Sequence, residues 1–358
     1  MLNVIHAADL HLDSPFTTLS PERAAQRREE LRQLPQRLAD LANERKADLV
    51  LLAGDLLDGT RCTRETALEL ARALGRIQAP VFIAPGNHDP YTAASVYAQS
   101  IWPDNVHIFT SPVPERVVLE ELGCTVYGVA FTREHPERGA LEGFRADPDD
   151  GLRLMVAHGN TMGEDYGAIT PAQIGDSGLN YLALGHIHQG GGLQRVGDTF
   201  WAYPGCPEGR GFDELGDKGV LEVSLDAGQV QARFLPLCRR RYEILDVDVT
   251  GAQDVLACVE RALPARTQED ILRLRLVGEG DISTALLSRL EQTLAPRCYA
   301  LEVQDRTRAP RQLWARAGED SLTGLFLAAL KDCPEGELRE LAARFGLSAL
   351  EQGEDVSP

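Results

Sequence analysis

Short apolar runs that each end in a polar motif are the feature that most constrains the fold of this chain. Five such motifs occur within the first 190 residues: Asp9-x-His11, Gly54-Asp55-x-x-Asp58, Gly86-Asn87-His88-Asp89, His158-Gly159 and Gly185-His186-x-His188. The runs before them, such as 48–53 and 81–84, have the length and apolar character of buried parallel strands. Because the carboxyl ends of such strands form the site of an open α/β sheet, we expect the motifs to lie together.

The side chains of these motifs are carboxylates, imidazoles and an amide, a donor set that suits Mn, Fe or Zn. Any one of the histidines, taken alone, could be a satisfied core residue. Five of the eight histidines lie in the motifs, however, and burying so many ionisable groups without a metal would be costly. We expect strand alternation to turn Asp9 and His11 to one side, and likewise His186 and His188. The other histidines are expected to be ordinary: His6, His107 and His135.

These motifs resemble those of the calcineurin-like metallophosphoesterase superfamily, and the resemblance covers residues 1–237. It implies a four-layer α/β/β/α sandwich with two divalent metal ions in its loops, Mn2+ being expected and Fe or Zn being alternatives. It implies that the first ion is held by Asp9, His11, Asp55 and His188. It implies that the second ion is held by Asp55 as the bridging ligand, Asn87, His158 and His186.

The resemblance gives His88 and Asp58 catalytic rather than metal-binding roles. Two bound ions would activate a bridging water and neutralise charge on the phosphate, while His88 protonates the leaving oxygen or stabilises its charge. In related phosphatases the second Asp of the G-D-x-x-D pattern orients that histidine, so Asp58 is assigned this role. Many archaeal and eukaryotic nucleases of the group carry a histidine there, and this chain departs from them.

Further motifs favour one subgroup. Gly59-Thr60 follow the G-D-x-x-D pattern, where protein Ser/Thr phosphatases have Arg-Gly, and Asp58 stands where purple acid phosphatases place a tyrosine. Residues 9–16 and 203–219 resemble bacterial DNA repair exonucleases of the SbcD and YhaO-like branch. That resemblance implies a DNA exonuclease, with endonuclease activity left open, and a nuclease subunit that partners an SMC-like ATPase and forms a homodimer.

The remaining chain fits the same resemblance. After residues 199–203, 218–225 and 230–237, which are expected to be antiparallel strands, a βαβαβ pattern covers 242–304. The predicted domains are a nuclease domain at 1–237, an α/β capping domain at 238–306 and a helical segment at 307–358 that could bind the ATPase. Two helices are predicted within 320–346. Their apolar faces are formed by Leu322, Leu325, Phe326 and Ala329, and by Leu338, Leu341, Ala342 and Phe345.

The net charge of −18 opposes a simple DNA-binding role. Carboxylates outnumber Lys plus Arg by 54 to 36, whereas unaided DNA binders present a basic face. A cytoplasmic phosphodiesterase for cyclic nucleotides or other small phosphoesters is therefore one alternative, although the long C-terminal extension argues against it. A catalytically silent interaction scaffold is the second, although no ligand has been lost. We expect the arginines at 239–241 and 306–316 to supply local positive charge.

The cysteines and the ends of the chain bear on its location. Seven cysteines are scattered singly, a pattern typical of reduced thiols in the cytoplasm. The chain has neither an apolar run long enough to cross a bilayer nor a basic N-terminal leader. A cytoplasmic protein without membrane association is expected.

Overall fold

The computed structural model describes residues 1–59, 62–136, 138–163, 165–226, 228–265, 267–308, 314–334 and 336–352. Thr60 and Arg311, which entered the sequence arguments, lie outside these ranges, as do residues 309–313, 335 and 353–358 of the predicted helical segment. The chain divides into two compact units, Met1–Arg241 and Tyr242–Pro358. The functional domain limits at residues 237 and 306 stay a prediction.

The first unit contains twelve strands and four α-helices among its described residues. The strands are β1 (Leu2–Ala7), β2 (Leu49–Leu52), β3 (Val81–Ile83), β4 (Val106–Ile108), β5 (Glu115–Leu119), β6 (Cys124–Gly128), β7 (Leu152–His158), β8 (Tyr181–Gly185), β9 (Gln194–Val196), β10 (Thr199–Ala202), β11 (Gly219–Asp226) and β12 (Gln229–Pro236). The helices are α1 (Pro21–Arg32), α2 (Leu34–Glu44), α3 (Arg64–Leu74) and α4 (Pro171–Asp176).

The strands form two six-stranded sheets. The first sheet has the order β12-β11-β1-β2-β3-β4, in which β1 to β4 are parallel and β11 and β12 are antiparallel. The second has the order β5-β6-β7-β8-β10-β9. The prediction that β10 is antiparallel to its neighbours is half wrong. It pairs antiparallel with β9 but parallel with β8, because the β9–β10 hairpin places its second strand beside β8.

Three apolar cores define the layers of the first unit. One lies between the first sheet and α1, α2 and α3, and includes Leu31, Leu38 and Leu70. The second lies between the two sheets and includes buried residues of β1, β2, β7 and β8. The third covers the outer face of the second sheet with α4 and the loops beside it, and includes Ile174. This is the predicted α/β/β/α sandwich, with a thin fourth layer.

Local sequence explains where the first helices begin and end. The Ser20 side chain accepts a hydrogen bond from the backbone N–H of Arg23, which satisfies one free donor at the start of α1. The helix breaks just before Pro35, since α1 ends at Arg32 and α2 starts at Leu34. Pro35 lies in the first turn of α2, where its missing N–H costs little.

The second unit has the predicted βαβαβ order. Its parallel sheet runs β13-β14-β15, and two helices connect the strands. The elements are β13 (Tyr242–Asp248), α5 (Val255–Ala262), β14 (Ile271–Val277), α6 (Thr284–Leu294) and β15 (Ala300–Asp305). Their core contains Val259, Leu274 and Leu290.

Two more helices follow in the described part of the second unit, α7 (Leu322–Lys331) and α8 (Glu337–Gln352). They pack on each other through Leu327, Ala343 and Leu347, none of which belongs to the predicted apolar faces. Of the residues predicted to form those faces, Leu325 and Leu338 are 67% and 83% exposed. Among the described residues, no helix is both long and apolar enough to cross a lipid bilayer.

Candidate metal centre

The loops that follow β1, β2 and β8 have an unusual backbone at the predicted metal ligands. Asp9, His11, Asp55 and His186 have positive φ values of 56°, 44°, 52° and 112°. This region is uncommon for residues other than glycine, and such strain concentrates at functional sites. The expectation that strand alternation turns Asp9 with His11, and His186 with His188, to one side is therefore wrong. Strands β1 and β8 end before these residues. The tight turns after the strands bring the side chains together instead.

Asp9, His11 and His188 form the first group of converging side chains. Each offers one ligand-type atom, and the three atoms lie within 4.8 Å of one another. The Nε2 atoms of the two imidazoles are 3.2 Å apart, and His188 Nε2 is 3.8 Å from Asp9 Oδ1. Asp9 and His11 are buried, and His188 is partly exposed.

Asp9, Asp55 and His158 form a second group within 4.8 Å. Asp55 Oδ2 lies 3.4 Å from His158 Nε2 and 3.8 Å from His11 Nε2, so this carboxylate stands between the two predicted ligand sets. Asn87 Oδ1 is 3.0 Å from His158 Nε2. The other nitrogen of His158, Nδ1, lies 2.8 Å from the Ala53 carbonyl oxygen, which fixes the ring with Nε2 toward the group.

His186 is held at the same place chiefly by its backbone. Its N–H donates to the Asp9 carboxylate at 3.1 and 3.2 Å, and its ring lies 5.3 Å from that of His158. The ring of Tyr166, a residue to which the sequence motifs gave no role, lies 5.2 Å from the ring of His186. A Cβ on Gly54 would lie 2.6 Å from His158 Nδ1, so the close approach of the loops requires glycine there.

His88 and Asp58 form a third group with His11. His88 Nδ1 lies 3.3 Å from Asp58 Oδ1, and His11 Nδ1 lies 3.9 Å from the same oxygen. The His88 side chain is 47% exposed, unlike the fully buried rings of His11 and His158, so it can meet a ligand from solvent. Its backbone N–H donates to Asp55 Oδ1 at 2.8 Å, which ties its position to the centre.

The carboxylates of Asp9, Asp55 and Asp58 and the imidazoles beside them shift one another's pKa values. Burial raises the pKa of Asp9 to about 6. Burial alone would disfavour the charged form of His158, but the Asp55 carboxylate outweighs that cost and raises the pKa of His158 to about 9. The neighbouring imidazoles of His11 and then His88 hold the pKa of Asp58 well below its usual range. A bound cation would offset the cost of burying these carboxylates, and the donor atoms suit divalent transition metals.

Asp89 is a functional residue that the sequence argument included in a motif but left without a role. Its buried carboxylate accepts hydrogen bonds from the backbone N–H groups of residues 55–57 and Gly86, at 2.7 to 3.1 Å. It also accepts one from the Tyr97 hydroxyl at 2.6 Å. Asp89 therefore fixes two ligand-bearing loops to each other. Its place beside Asn87 and His88 is the signal that could have revealed it.

Arg210 and Glu214 were also missed as partners of the centre. Both contact His188 Nδ1, with Glu214 Oε1 at 2.8 Å and Arg210 Nη2 at 2.9 Å. The segment 203–219 had been noted only as a family resemblance. Charged residues near a glycine-rich loop are the sole sequence signal for them, and that signal is weak.

Comparison with known proteins identifies the family. Residues 2–190 match the calcineurin-like phosphoesterase family. The chain belongs to that family. The uncharacterized metallophosphoesterase YhaO of Bacillus subtilis (strain 168) is 30% identical over 321 residues, which cover 85% of this chain and 78% of YhaO.

Two further relatives are archaeal proteins. The DNA double-strand break repair protein Mre11 of Aeropyrum pernix is 26% identical over 284 residues, covering 74% of this chain and 68% of that protein. The DNA double-strand break repair protein Mre11 of Methanopyrus kandleri is 24% identical over 277 residues, covering 70% and 60%. Membership of the metallophosphoesterase family confirms the predicted resemblance and makes the protein a hydrolase that binds divalent metal ions.

Proposed function

We propose that this protein is a metal-dependent DNA nuclease that hydrolyses phosphodiester bonds in DNA repair, chiefly as an exonuclease. The observation that carries the proposal is the convergence of Asp9, His11, Asp55, His158 and His188 around one buried, negatively charged place, with a half-exposed His88 beside it. Relatives that are named for DNA double-strand break repair support DNA as the substrate.

The proposed ligands are those that the motifs predict. Asp9, His11, Asp55 and His188 would hold one ion, with Mn2+ proposed for both positions. Asp55, Asn87, His158 and His186 would hold the other. When bound, two such ions lower the pKa of a water molecule and neutralise charge on the scissile phosphate.

The chain's own residues supply the rest of the mechanism. Asp58 lies against Nδ1 of His88 and raises the pKa of that imidazole, so that the doubly protonated ring can donate the proton on Nε2. Its partial exposure lets His88 reach the leaving oxygen of a bound phosphodiester, where proton donation would assist bond breaking. The fixed loops around Asp89 keep this histidine and the ligands in register, so little reorganisation is needed during the reaction.

Partners and location are part of the proposal. A homodimer in the cytoplasm, working with an SMC-like ATPase, would fit a DNA repair nuclease. All seven cysteines are free thiols, which agrees with a reducing compartment. The exposed leucines of α7 and α8, including Leu325 and Leu338, support a protein contact there.

The net charge favours one competing function, a phosphodiesterase acting on cyclic nucleotides or other small phosphoesters. The test is hydrolysis by the purified protein with Mn2+ of linear duplex DNA, cyclic nucleotides and an aryl phosphodiester. DNA degradation that is lost in Asp55→Ala and kept in Asp198→Ala supports the nuclease. Turnover of cyclic nucleotides with intact DNA would instead favour the competing function, and inactivity on all three with bound metal would favour the scaffold.

A further inference from the structure

Segment 203–219 places a buried ion pair against one side of the His188 ring. Glu214 is buried, and its Oε1 lies 2.8 Å from His188 Nδ1 and 2.7 Å from Arg210 Nη2. On the other side of the ring, Nε2 lies 3.2 Å from His11 Nε2. One nitrogen of His188 thus faces the ion pair, and the other faces the proposed metals.

The position of the proton on the His188 ring decides whether Nε2 can bind a metal. A neutral imidazole carries its proton on one nitrogen, and only the other nitrogen has a lone pair to give. The two partners of Nδ1 require opposite states, because a carboxylate can only accept a proton whereas a guanidinium can only donate one. If Arg210 donated to Nδ1, the proton would lie on Nε2 and would exclude a metal there.

The distances resolve this competition in favour of Glu214. Arg210 Nη2 lies closer to Glu214 Oε1, at 2.7 Å, than to His188 Nδ1, at 2.9 Å. The backbone N–H of Arg210 also donates to Glu214 Oε2 at 2.7 Å. Arg210 is therefore satisfied by an ionised acceptor, which makes the stronger hydrogen bond, and the Nδ1 proton of His188 can go to the same carboxylate.

We propose that Glu214 is a positioning residue that fixes the His188 proton on Nδ1 and so keeps Nε2 free as a ligand of the first ion. Arg210 holds the Glu214 carboxylate in place for this contact. The inference rests on the proposed two-metal centre, because without an ion the tautomer of His188 has no consequence.

The first experiment reads the tautomer in the metal-free wild-type protein. Long-range 1H–15N correlation spectra of protein with 15N-labelled histidine distinguish a proton on Nδ1 from one on Nε2, and loss of a signal in His188→Gln assigns it. We expect His188 to be protonated on Nδ1. A proton on Nε2 in the wild-type protein would overturn the inference, whether or not any variant of Glu214 folds.

The second experiment measures Mn2+ binding by calorimetric titration. Glu214→Gln removes the charge but keeps the shape, and it should weaken one of the two ions by about 10–100-fold while leaving the other unchanged. Asp213→Asn is the matched control, since it removes an exposed carboxylate one residue away and should bind both ions as the wild type does.

Two failures can be told apart. A folded Glu214→Gln variant that binds both ions with wild-type affinity overturns the role of Glu214 and leaves the two-metal centre intact. Wild-type protein that binds no Mn2+ and hydrolyses no DNA refutes the proposed function, while the tautomer spectrum still reports on the Glu214 contact.

Discussion

At the scale of single residues, the Asp55 carboxylate connects the two proposed ion positions. Its Oδ2 lies near one imidazole of each set, His11 and His158. We expect Asp55→Ala to weaken both ions, because a bridging ligand is shared. Metal content after dialysis measures this, with Asp198→Ala as the control because that side chain is fully exposed. Retention of both ions at wild-type strength would refute the bridging role.

His88 and Asp58 give a prediction about chemistry rather than metal binding. His88→Ala should keep both metals but lower turnover by about 100-fold or more, as expected for a missing proton donor. Asp58→Asn should lower turnover less, and the double variant should lose no more than His88→Ala alone, because Asp58 acts through His88.

Turnover of an aryl phosphodiester and metal content are measured together on these variants. His107→Gln serves as the control, because this histidine lies on β4 away from the three metal-type groups. Losses that multiply in the double variant would show that the two residues act independently. Loss of metal in His88→Ala would place His88 among the ligands.

The sequence pointed to residues that the structure brings together where the motif itself carries the chemistry. Asp9, His11 and Asp55 were found because ligand-type side chains follow apolar runs at strand ends. Glu214 was missed because it lies 26 residues from His188, and only folding of the intervening chain makes them neighbours. Asp89 lies 34 residues from Asp55, and its contact with the Asp55 backbone likewise forms only when the chain folds. Long-range polar contacts leave no periodic pattern in a sequence.

At the scale of elements, the strands predicted at 48–53, 81–84, 218–225 and 230–237 match β2, β3, β11 and β12 of the first sheet, whereas β4 was not predicted. The pairing of β10 was wrong in part, since local alternation does not reveal which strand lies beside it. The apolar faces of α7 and α8 were predicted in part: Phe326 packs against the buried residues of the helix pair, whereas Leu325 and Leu338 are exposed. Both helices carry more apolar residues than one face needs, so periodicity alone did not select Leu327 and Ala343 as the buried ones.

A buried ionic network joins α1 to segment 203–219 and gives a prediction of stability. Glu208 accepts hydrogen bonds from Arg27 Nη2 at 2.7 Å and Arg37 Nη2 at 2.8 Å, and Arg27 is fully buried. We expect Glu208→Gln to lower the free energy of unfolding by about 1–3 kcal/mol, because Arg27 would lose one of its two carboxylate partners and keep only Glu30.

Urea unfolding of the full chain, followed at the transition of the first unit, measures this loss. The control is Glu142→Gln, which breaks an exposed pair with Arg138 and should cost less than about 1 kcal/mol. A loss as small as that of the control would mean that solvent or neighbouring groups compensate for Glu208.

At the scale of the whole molecule, the net charge of −18 sets the problem of DNA binding. The arginines at 239–241, which were expected to supply local positive charge, each lie against a carboxylate. Arg240 is buried against Glu30, Arg239 lies 3.4 Å from the same carboxylate, and Arg241 lies 3.7 Å from Asp217. In the predicted basic stretch 306–316, Arg316 pairs with Glu319 at 3.2 Å. Composition located these arginines but not the carboxylates that neutralise them.

A chain with a net charge of −18 should hold duplex DNA poorly by itself, and we expect an SMC-like ATPase to supply the missing contacts through α7 and α8. These helices are held within their own unit by Leu327, Ala343 and Leu347, and by an Arg344 ion pair with Asp305. The exposed leucines 325 and 338 are therefore not needed for that packing. Their exposure has a cost in water, which contact with a partner would relieve.

The double substitution Leu325→Glu with Leu338→Glu tests this expectation without removing either helix. The variant should keep the fold and the wild-type rate on an aryl phosphodiester, but lose stimulation of DNA degradation by the purified ATPase. Val118→Glu is the control, because it places one such negative charge on an exposed apolar position of β5 in the first unit. Undiminished stimulation of the double variant would show that the ATPase binds elsewhere. Equal loss in Val118→Glu would show that added negative charge, and not the helix surface, weakens the assembly on DNA.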